Sequence, residues 1–221
     1  VKRASWSSET ARWTVEAERG NGEIERFSVG FLFMCSGYYN YDRGYQPDFP
    51  GMHDFGGRFV HPQFWPEDLD YAGKRVVVIG SGATAVTLVP SMAPTAAHVT
   101  MLQRSPTYMG SVPTRHPLAK AVRTVLPARP AAWLLRWINA LGTQGLYRVS
   151  KRRPELVKRV MRKGLERDLP AGYDIDTHFT PRYDPWDQRL CAVGDADLFK
   201  EMRRGKVTVV TDRVARFTET G

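Results

Sequence analysis

The run Val76-Val77-Val78-Ile79-Gly80-Ser81-Gly82-Ala83-Thr84-Ala85 constrains the fold more than any other stretch of the chain. Four consecutive β-branched residues, apolar on both faces, predict a central strand of a parallel sheet covered on each side. A GxGxxA turn follows and leads into Val86-Thr87-Leu88-Val89, a helical start. Within such a turn Gly80 reverses the chain, Gly82 lets backbone amides approach a pyrophosphate with no Cβ between, and Ala85 lets helix and strand pack closely. Ser81, Ala83 and Thr84 complete the loop, and the helix N-terminus beyond it favours an anion through its unpaired N–H groups and dipole. A strand before the motif and a helix after it point to a dinucleotide site.

The residue at the end of the next strand selects the dinucleotide. An NAD site offers an acid there to the ribose 2′-hydroxyl, whereas an NADP site places an arginine near the 2′-phosphate. Here the strand His98-Val99-Thr100-Met101-Leu102-Gln103 ends in Arg104-Ser105-Pro106, with no acid. Arg104 can fork two N–H bonds onto phosphate oxygens and Ser105 can add a hydroxyl, so the cofactor expected is NADPH.

The rest of the chain arranges itself around this unit. Its 221 residues can bury one good core or two modest ones. Residues Arg12 to Glu18 and Glu23 to Val29 alternate around Asn21-Gly22, the signal of a two-residue hairpin, and Phe31-Leu32-Phe33-Met34-Cys35 reads as a buried strand ending at Ser36-Gly37. Residues 1–37 therefore look like the tail of a preceding domain. Residues 38–50, rich in Tyr, Pro, Gly and Asp without a period, read as a linker. The nucleotide domain is expected over 51–213, with a helical insertion over about 115–168 whose apolar face is Ala131-Ala132-Trp133-Leu134-Leu135 and Trp137-Ile138. Leu169 to Leu190 is loop-like and contains Trp186-Asp187-Gln188-Arg189; a helix over Asp197–Arg204 and a strand over Val207–Val210 close the pattern. Residues 214–221 turn back toward the preceding domain. The first residue is not Met and the last ones stop in mid-pattern, which leads us to expect a piece of a longer protein.

The insertion supplies most of the formal charge of +9. Arg148, Lys151, Arg152, Arg153, Lys158, Arg159, Arg162, Lys163 and Arg167 face only Glu155 and Glu166 in that segment. A solvated helix surface, peripheral contact with an anionic membrane, and nucleic-acid binding all accommodate such a run, although no nucleic-acid motif accompanies it. Cys35 and Cys191 show neither CxxC nor zinc spacing, so no disulfide framework and no metal site are expected and a reducing cytoplasm fits. The start carries no apolar signal segment, and no window approaches eighteen apolar residues.

Just before the nucleotide turn stands Phe55-x-Gly57-x-x-x-His61-x-x-x-Trp65-Pro66. This matches FxGxxxHxxxWP and resembles the fingerprint of Baeyer–Villiger monooxygenases within the class B flavoprotein monooxygenases. Wording such as His61-Pro62-Gln63, Gln103-Arg104-Ser105-Pro106-Thr107-Tyr108 and Phe179-Thr180-Pro181-Arg182-Tyr183 is similar to the ethionamide-activating subgroup. The resemblance implies an α/β fold: a Rossmann-like parallel-sheet NADP-binding domain with a helical insertion, joined to a β-rich remnant of an FAD domain. It implies an enzyme in which NADPH reduces FAD, the flavin takes up O2 as a C4a-peroxide, and one oxygen atom passes to a ketone, sulfur or nitrogen of a small molecule. The FAD would be bound mostly by sequence outside this chain. His61 would be structural, in a linker that couples domain movement to cofactor position. Arg189 resembles the family's catalytic arginine over the flavin, and Gln188 stands where many members carry a lysine for the 2′-phosphate. A nucleotide-binding module without catalysis and a pyridine nucleotide–disulfide reductase are the alternatives; the second would need a CxxxxC or CxxC pair.

Overall fold

The computed structural model describes residues 1–221 apart from Tyr38, His116 and the side chain of Pro117. The chain forms two compact units, Val1–Gln46 and Pro47–Gly221.

The first unit is a three-stranded antiparallel meander of β1 (Arg3–Ser7), β2 (Arg12–Glu18) and β3 (Ile24–Val29). Cross-strand pairs hold its register: Trp6 stands opposite Trp13 with ring centroids 5.5 Å apart, and Arg26 bridges to Glu16 at 2.9 Å. The β2–β3 connection is longer than the expected two residues. The amide of Arg19 donates to the carbonyl of Glu23 and that of Gly22 to the carbonyl of Arg19, so the loop is Gly20-Asn21-Gly22, with Gly22 left-handed at φ +84°. A turn followed by a left-handed glycine is the usual three-residue solution, which the Asn-Gly pair alone does not distinguish from the two-residue one. The buried strand expected at Phe31–Cys35 is absent. Among the described residues no strand lies alongside to accept its backbone hydrogen bonds, and Phe31 and Phe33 are exposed.

The second unit has a parallel sheet in the order β4 (Arg75–Ile79), β5 (His98–Gln103), β8 (Val207–Thr211). A second parallel pair joins β6 (Tyr108–Val112) to β7 (Leu190–Gly194). Around them lie α1 (Ala83–Met92), α2 (Pro117–Val125), α3 (Ala128–Arg152), α4 (Pro154–Asp168), α5 (Ile175–Phe179) and α6 (Asp197–Arg203). Register places Val76, Val99 and Val207 in one row and Val78, Met101 and Val209 in the next, all on one face. That face packs on Ala85, Val86, Val89 and Met92 of α1 and on Leu198, Phe199 and Met202 of α6.

This arrangement corrects the expectation for the Val76–Ile79 strand. It is an edge strand, and only Val76 and Val78 enter the core, while Val77 and Ile79 stay exposed. A continuous apolar run shows that both faces suit cover; it does not say that the cover is present. The segment Leu169–Leu190, expected as a loop, holds the short helix α5 and sends Ile175, Phe179 and Pro185 into the interior.

Asp168, at the end of α4, is buried and accepts hydrogen bonds from Ser111 of β6 at 2.5 Å and from Arg167 at 2.8 Å. The Arg167 guanidinium, with help from the Ser111 hydroxyl, holds its carboxyl below the usual range against the opposing effect of burial. The charged form is therefore favoured by folding. Its contribution is complete above the unfolded carboxyl pKa of about 4 and disappears as the pH falls through the lower folded value. Asp168→Asn should lower stability by about 1–3 kcal/mol at neutral pH. Denaturant melts of the two proteins should converge under strongly acidic conditions, and a gap that persists there would show that packing, not charge, carries the effect.

Candidate functional site

Gly80 ends β4 at φ +129°, its amide donating to the carbonyl of Leu102 at 2.7 Å. Gly82 is the N-cap of α1 and is extended, at φ −80° and ψ −174°, with no side chain capping the helix. The first amides of α1, those of Ala83, Thr84 and Ala85, therefore lack a side-chain partner and face the loop side. Ser81 is held from below: its hydroxyl lies 3.3 Å from that of Thr107, and its carbonyl accepts from the Cys191 thiol at 3.7 Å. Ala85 is buried against the sheet, as close packing of helix on strand requires.

Arg189 reaches this loop from the far end of the sequence. Its Nη1 lies 3.9 Å from where a Cβ on Gly82 would stand. Two tyrosines hold the backbone that presents it. Tyr108 donates its hydroxyl to the carbonyl of Tyr183 at 2.8 Å, and Tyr183 donates to the carbonyl of Arg189 at 2.8 Å, the two rings meeting edge to face at 5.3 Å. Burial pushes the Tyr108 phenol above its ordinary range, so it remains a donor throughout the neutral region. Burial likewise pushes the Cys191 thiol up, against the pull of Arg189. Thr107, Tyr108, Tyr183 and Cys191 were not site candidates from sequence. Thr107 and Tyr108 follow Arg104-Ser105-Pro106 directly, and Cys191 follows Arg189 by two, so adjacency was the available signal.

Arg104 and Ser105 lie at the carboxyl end of β5 beside the β4 turn, both exposed. No ion pair ties Arg104 to any described residue. Gln188 is also exposed. The topology thus sets Arg104 and Ser105 at the strand end next to the glycine turn and brings Arg189 onto that turn.

The Phe55–Pro66 stretch is a separate cluster in the same unit. Phe55, Phe59 and Phe217 form a ring triangle with centroids 5.0 to 5.8 Å apart. Gly57 lies under the Phe55 ring, where a Cβ would come within 2.3 Å of it. His61 caps the single 3-10 turn Pro62–Phe64, its Nδ1 accepting from the amide of Gln63 at 3.2 Å. Trp65 and Pro66 follow, and the Trp65 ring stands edge-on to Tyr71 at 6.4 Å. The C-terminal segment closes on this cluster through the Phe217 amide to the Pro50 carbonyl and the Gly56 amide to the Glu219 carbonyl.

A parallel β–turn–α unit with a glycine cradle at a helix N-terminus and two arginines at the strand ends defines a dinucleotide-binding α/β domain. Comparison with known proteins makes this specific. A model described as flavin-binding monooxygenase-like matches residues 1–130, and the chain belongs to that family. It is 52% identical over 219 residues to the FAD-containing monooxygenase EthA of Mycolicibacterium smegmatis, covering 99% of this chain and 44% of that protein. It is 50% identical over 226 residues to the putative FAD-containing monooxygenase MymA of Mycobacterium tuberculosis, covering all of this chain and 46% of the relative. Among solved structures, an oxidized steroid monooxygenase bound to NADP superposes with a TM-score of 0.69 at 21% identity, over 99% of this chain and 47% of that one. An open cyclohexanone monooxygenase superposes at 0.64 and 18% identity, over 98% of this chain and 48% of that one. These two likenesses show the fold, and the chain spans about half the length of the curated relatives it matches.

Proposed function

We propose that this chain is the NADP-binding part of an FAD-dependent monooxygenase that consumes NADPH and O2. The oxygen goes to the carbonyl carbon side of a small ketone, giving an ester, as in the Baeyer–Villiger reaction. The observation that carries this reading is the junction of Phe55-x-Gly57-x-x-x-His61-x-x-x-Trp65-Pro66 with a glycine turn against which Arg189 rests. In this reading the α1 N-terminus and Gly82 receive the pyrophosphate, and Arg104 with Ser105 receives the 2′-phosphate. Gln188, uncharged, adds no second cation to that phosphate. FAD, held mostly by sequence outside this chain, supplies the oxygen-activating chemistry. Arg189 contributes a positive charge at the edge of the nucleotide loop, where it can orient the nicotinamide end of NADPH and stabilise negative charge that develops during oxygen transfer.

His61 has a structural role in this reading, its Nδ1 capping the Pro62–Phe64 turn. Oxygenation of sulfur or nitrogen alone is the second reading, favoured by the family assignment, which is broader than ketone oxidation.

The test is turnover of the full-length holoenzyme under isotopically labelled O2 with a ketone, a thioether and a tertiary amine as separate substrates. We expect ester from the ketone, carrying one labelled oxygen per NADPH consumed. Sulfoxide or N-oxide with no ester would select the second reading. NADPH oxidation without any labelled product would sink both.

A further inference from the structure

The cations expected to form one basic surface divide into two groups. Three of those on α4 are paired with carboxylates, some within the insertion and some beyond it in sequence. Arg162 bridges Asp176 and Glu166, Lys158 bridges Asp184 and Glu155, Arg167 bridges Asp168, and Lys151 at the end of α3 bridges Asp187. This corrects the sequence view that Glu155 and Glu166 alone face the run. The α2–α3 hairpin differs. No Asp or Glu occurs between Asp70 and Glu155, while nine Lys and Arg lie between Arg115 and Arg153. Lys120, Arg123, Arg129 and Arg136 are exposed and form no ion pair with the described residues.

The same hairpin exposes apolar surface. Trp133, Trp137 and Leu141 repeat at intervals of four on α3 and are 64%, 47% and 64% exposed, the two indole rings meeting edge to face at 6.3 Å. This also corrects the expected apolar face: Ala131 and Leu135 are buried, whereas Trp133 and Trp137 point away from the core. Leu118, Val125 and Leu126 of the α2 region are exposed as well. Arg129 is one turn before Trp133, and Arg136 is three residues after it, so both flank the stripe.

We infer that this hairpin docks the protein on an anionic phospholipid surface, with Trp133, Trp137 and Leu141 in the interface and Arg129 and Arg136 on lipid phosphates. An exposed apolar patch of this kind marks a binding surface, and its partner must be apolar and negatively charged together. A bilayer offers both: indole rings favour the headgroup boundary, aliphatic side chains the acyl region, and arginines the phosphates. A second copy fits poorly, since pairing two such stripes would bring unpaired arginines together. Nucleic acid would leave Leu141, Leu118 and Val125 without a stacking partner. No helix among the described residues is long and apolar enough to span a membrane, so the contact is peripheral.

The experiment is co-sedimentation of the full-length holoenzyme with phosphatidylcholine vesicles, with and without about a quarter phosphatidylglycerol, at low and high salt. We expect binding to the anionic vesicles only, weakened at high salt. Trp133→Gln/Trp137→Gln should reduce partitioning at least ten-fold, and Arg129→Gln/Arg136→Gln by about five-fold for each charge removed. Both variants should keep the NADPH affinity and melting temperature of the parent protein. Absence of binding at low salt, equal binding to neutral vesicles, or binding unaffected by both variants would overturn the proposal. So would a parent protein that stays in the supernatant while the tryptophan variant melts several degrees lower, which would mean that the remainder of the longer chain covers the stripe. A parent dimer dispersed by the tryptophan substitutions, again without vesicle binding, would assign the surface to self-association.

Discussion

Replacing Gly82 by Ala should cost NADPH binding at least ten-fold while leaving the melting temperature of the protein within about 2 °C. The two halves of this expectation come from different measurements on one residue. Gly82 has extended backbone that any residue adopts, and a Cβ there would lie at ordinary contact distance from the Arg189 guanidinium. Nothing in the folded chain therefore requires glycine at this position. What requires it is the anion: a pyrophosphate on the α1 amides must approach the backbone more closely than a methyl group permits. Gly80 is the converse. Its φ of +129° is strained for any L side chain, although a Cβ there would meet open space. Gly80→Ala should destabilise the fold by about 1–3 kcal/mol. Titration of NADPH by tryptophan fluorescence, beside thermal melts of both variants, separates the two roles. Equal NADPH affinity for Gly82→Ala and the parent would remove this loop from the pyrophosphate site.

Arg189→Ala in the full-length enzyme should lower oxygenated product at least a hundred-fold while NADPH oxidation continues, the electrons being lost to hydrogen peroxide. The magnitude is that of removing one electrostatic stabiliser of developing negative charge. The guanidinium has no ion-pair or hydrogen-bond partner among the described residues, so its loss leaves no buried charge behind and the fold should be unaffected. Arg189→Lys should recover only part of the activity, because an ammonium keeps the charge but not the planar fork. Product formation unchanged in Arg189→Ala would refute the assignment. A loss confined to NADPH affinity would instead make Arg189 a pyrophosphate ligand beside Gly82.

The parts of the fold legible in the sequence are those where one local pattern has one structural solution. The β4–turn–α1 unit was of this kind, because the β-branched run, the glycines and the helical start all agree. Its burial was not, since Val77 and Ile79 have the composition of covered residues and the cover depends on elements that local pattern does not reveal. Phe31–Cys35 failed for the same reason: a strand is a relation between segments, and no segment pairs with it here. Strands β1, β6 and β7 are short and mixed in polarity, and β6 and β7 pair across some eighty residues. The position of Arg104 and Ser105 just past the end of β5 could be read from spacing alone. The proximity of Arg189 to Gly82 could not, because it arises from the long return through α3, α4 and α5. Trp133 and Trp137 share the apolar character of Ala131 and Leu135, but helical spacing puts the two pairs on opposite sides of α3, and only the second pair is buried.

The two tyrosine hydrogen bonds behind Arg189 end on carbonyl oxygens, of Tyr183 and of Arg189 itself, and neither touches the guanidinium. The loop is thus immobilised at its main chain while the charged tip keeps its torsional freedom. Rotation about side-chain bonds takes nanoseconds or less, whereas loop rearrangement takes microseconds. A cation mounted this way can trade one anionic neighbour for another within a single catalytic cycle without the protein having to remodel its backbone, and the speed of that exchange is then set by four dihedral angles of one residue.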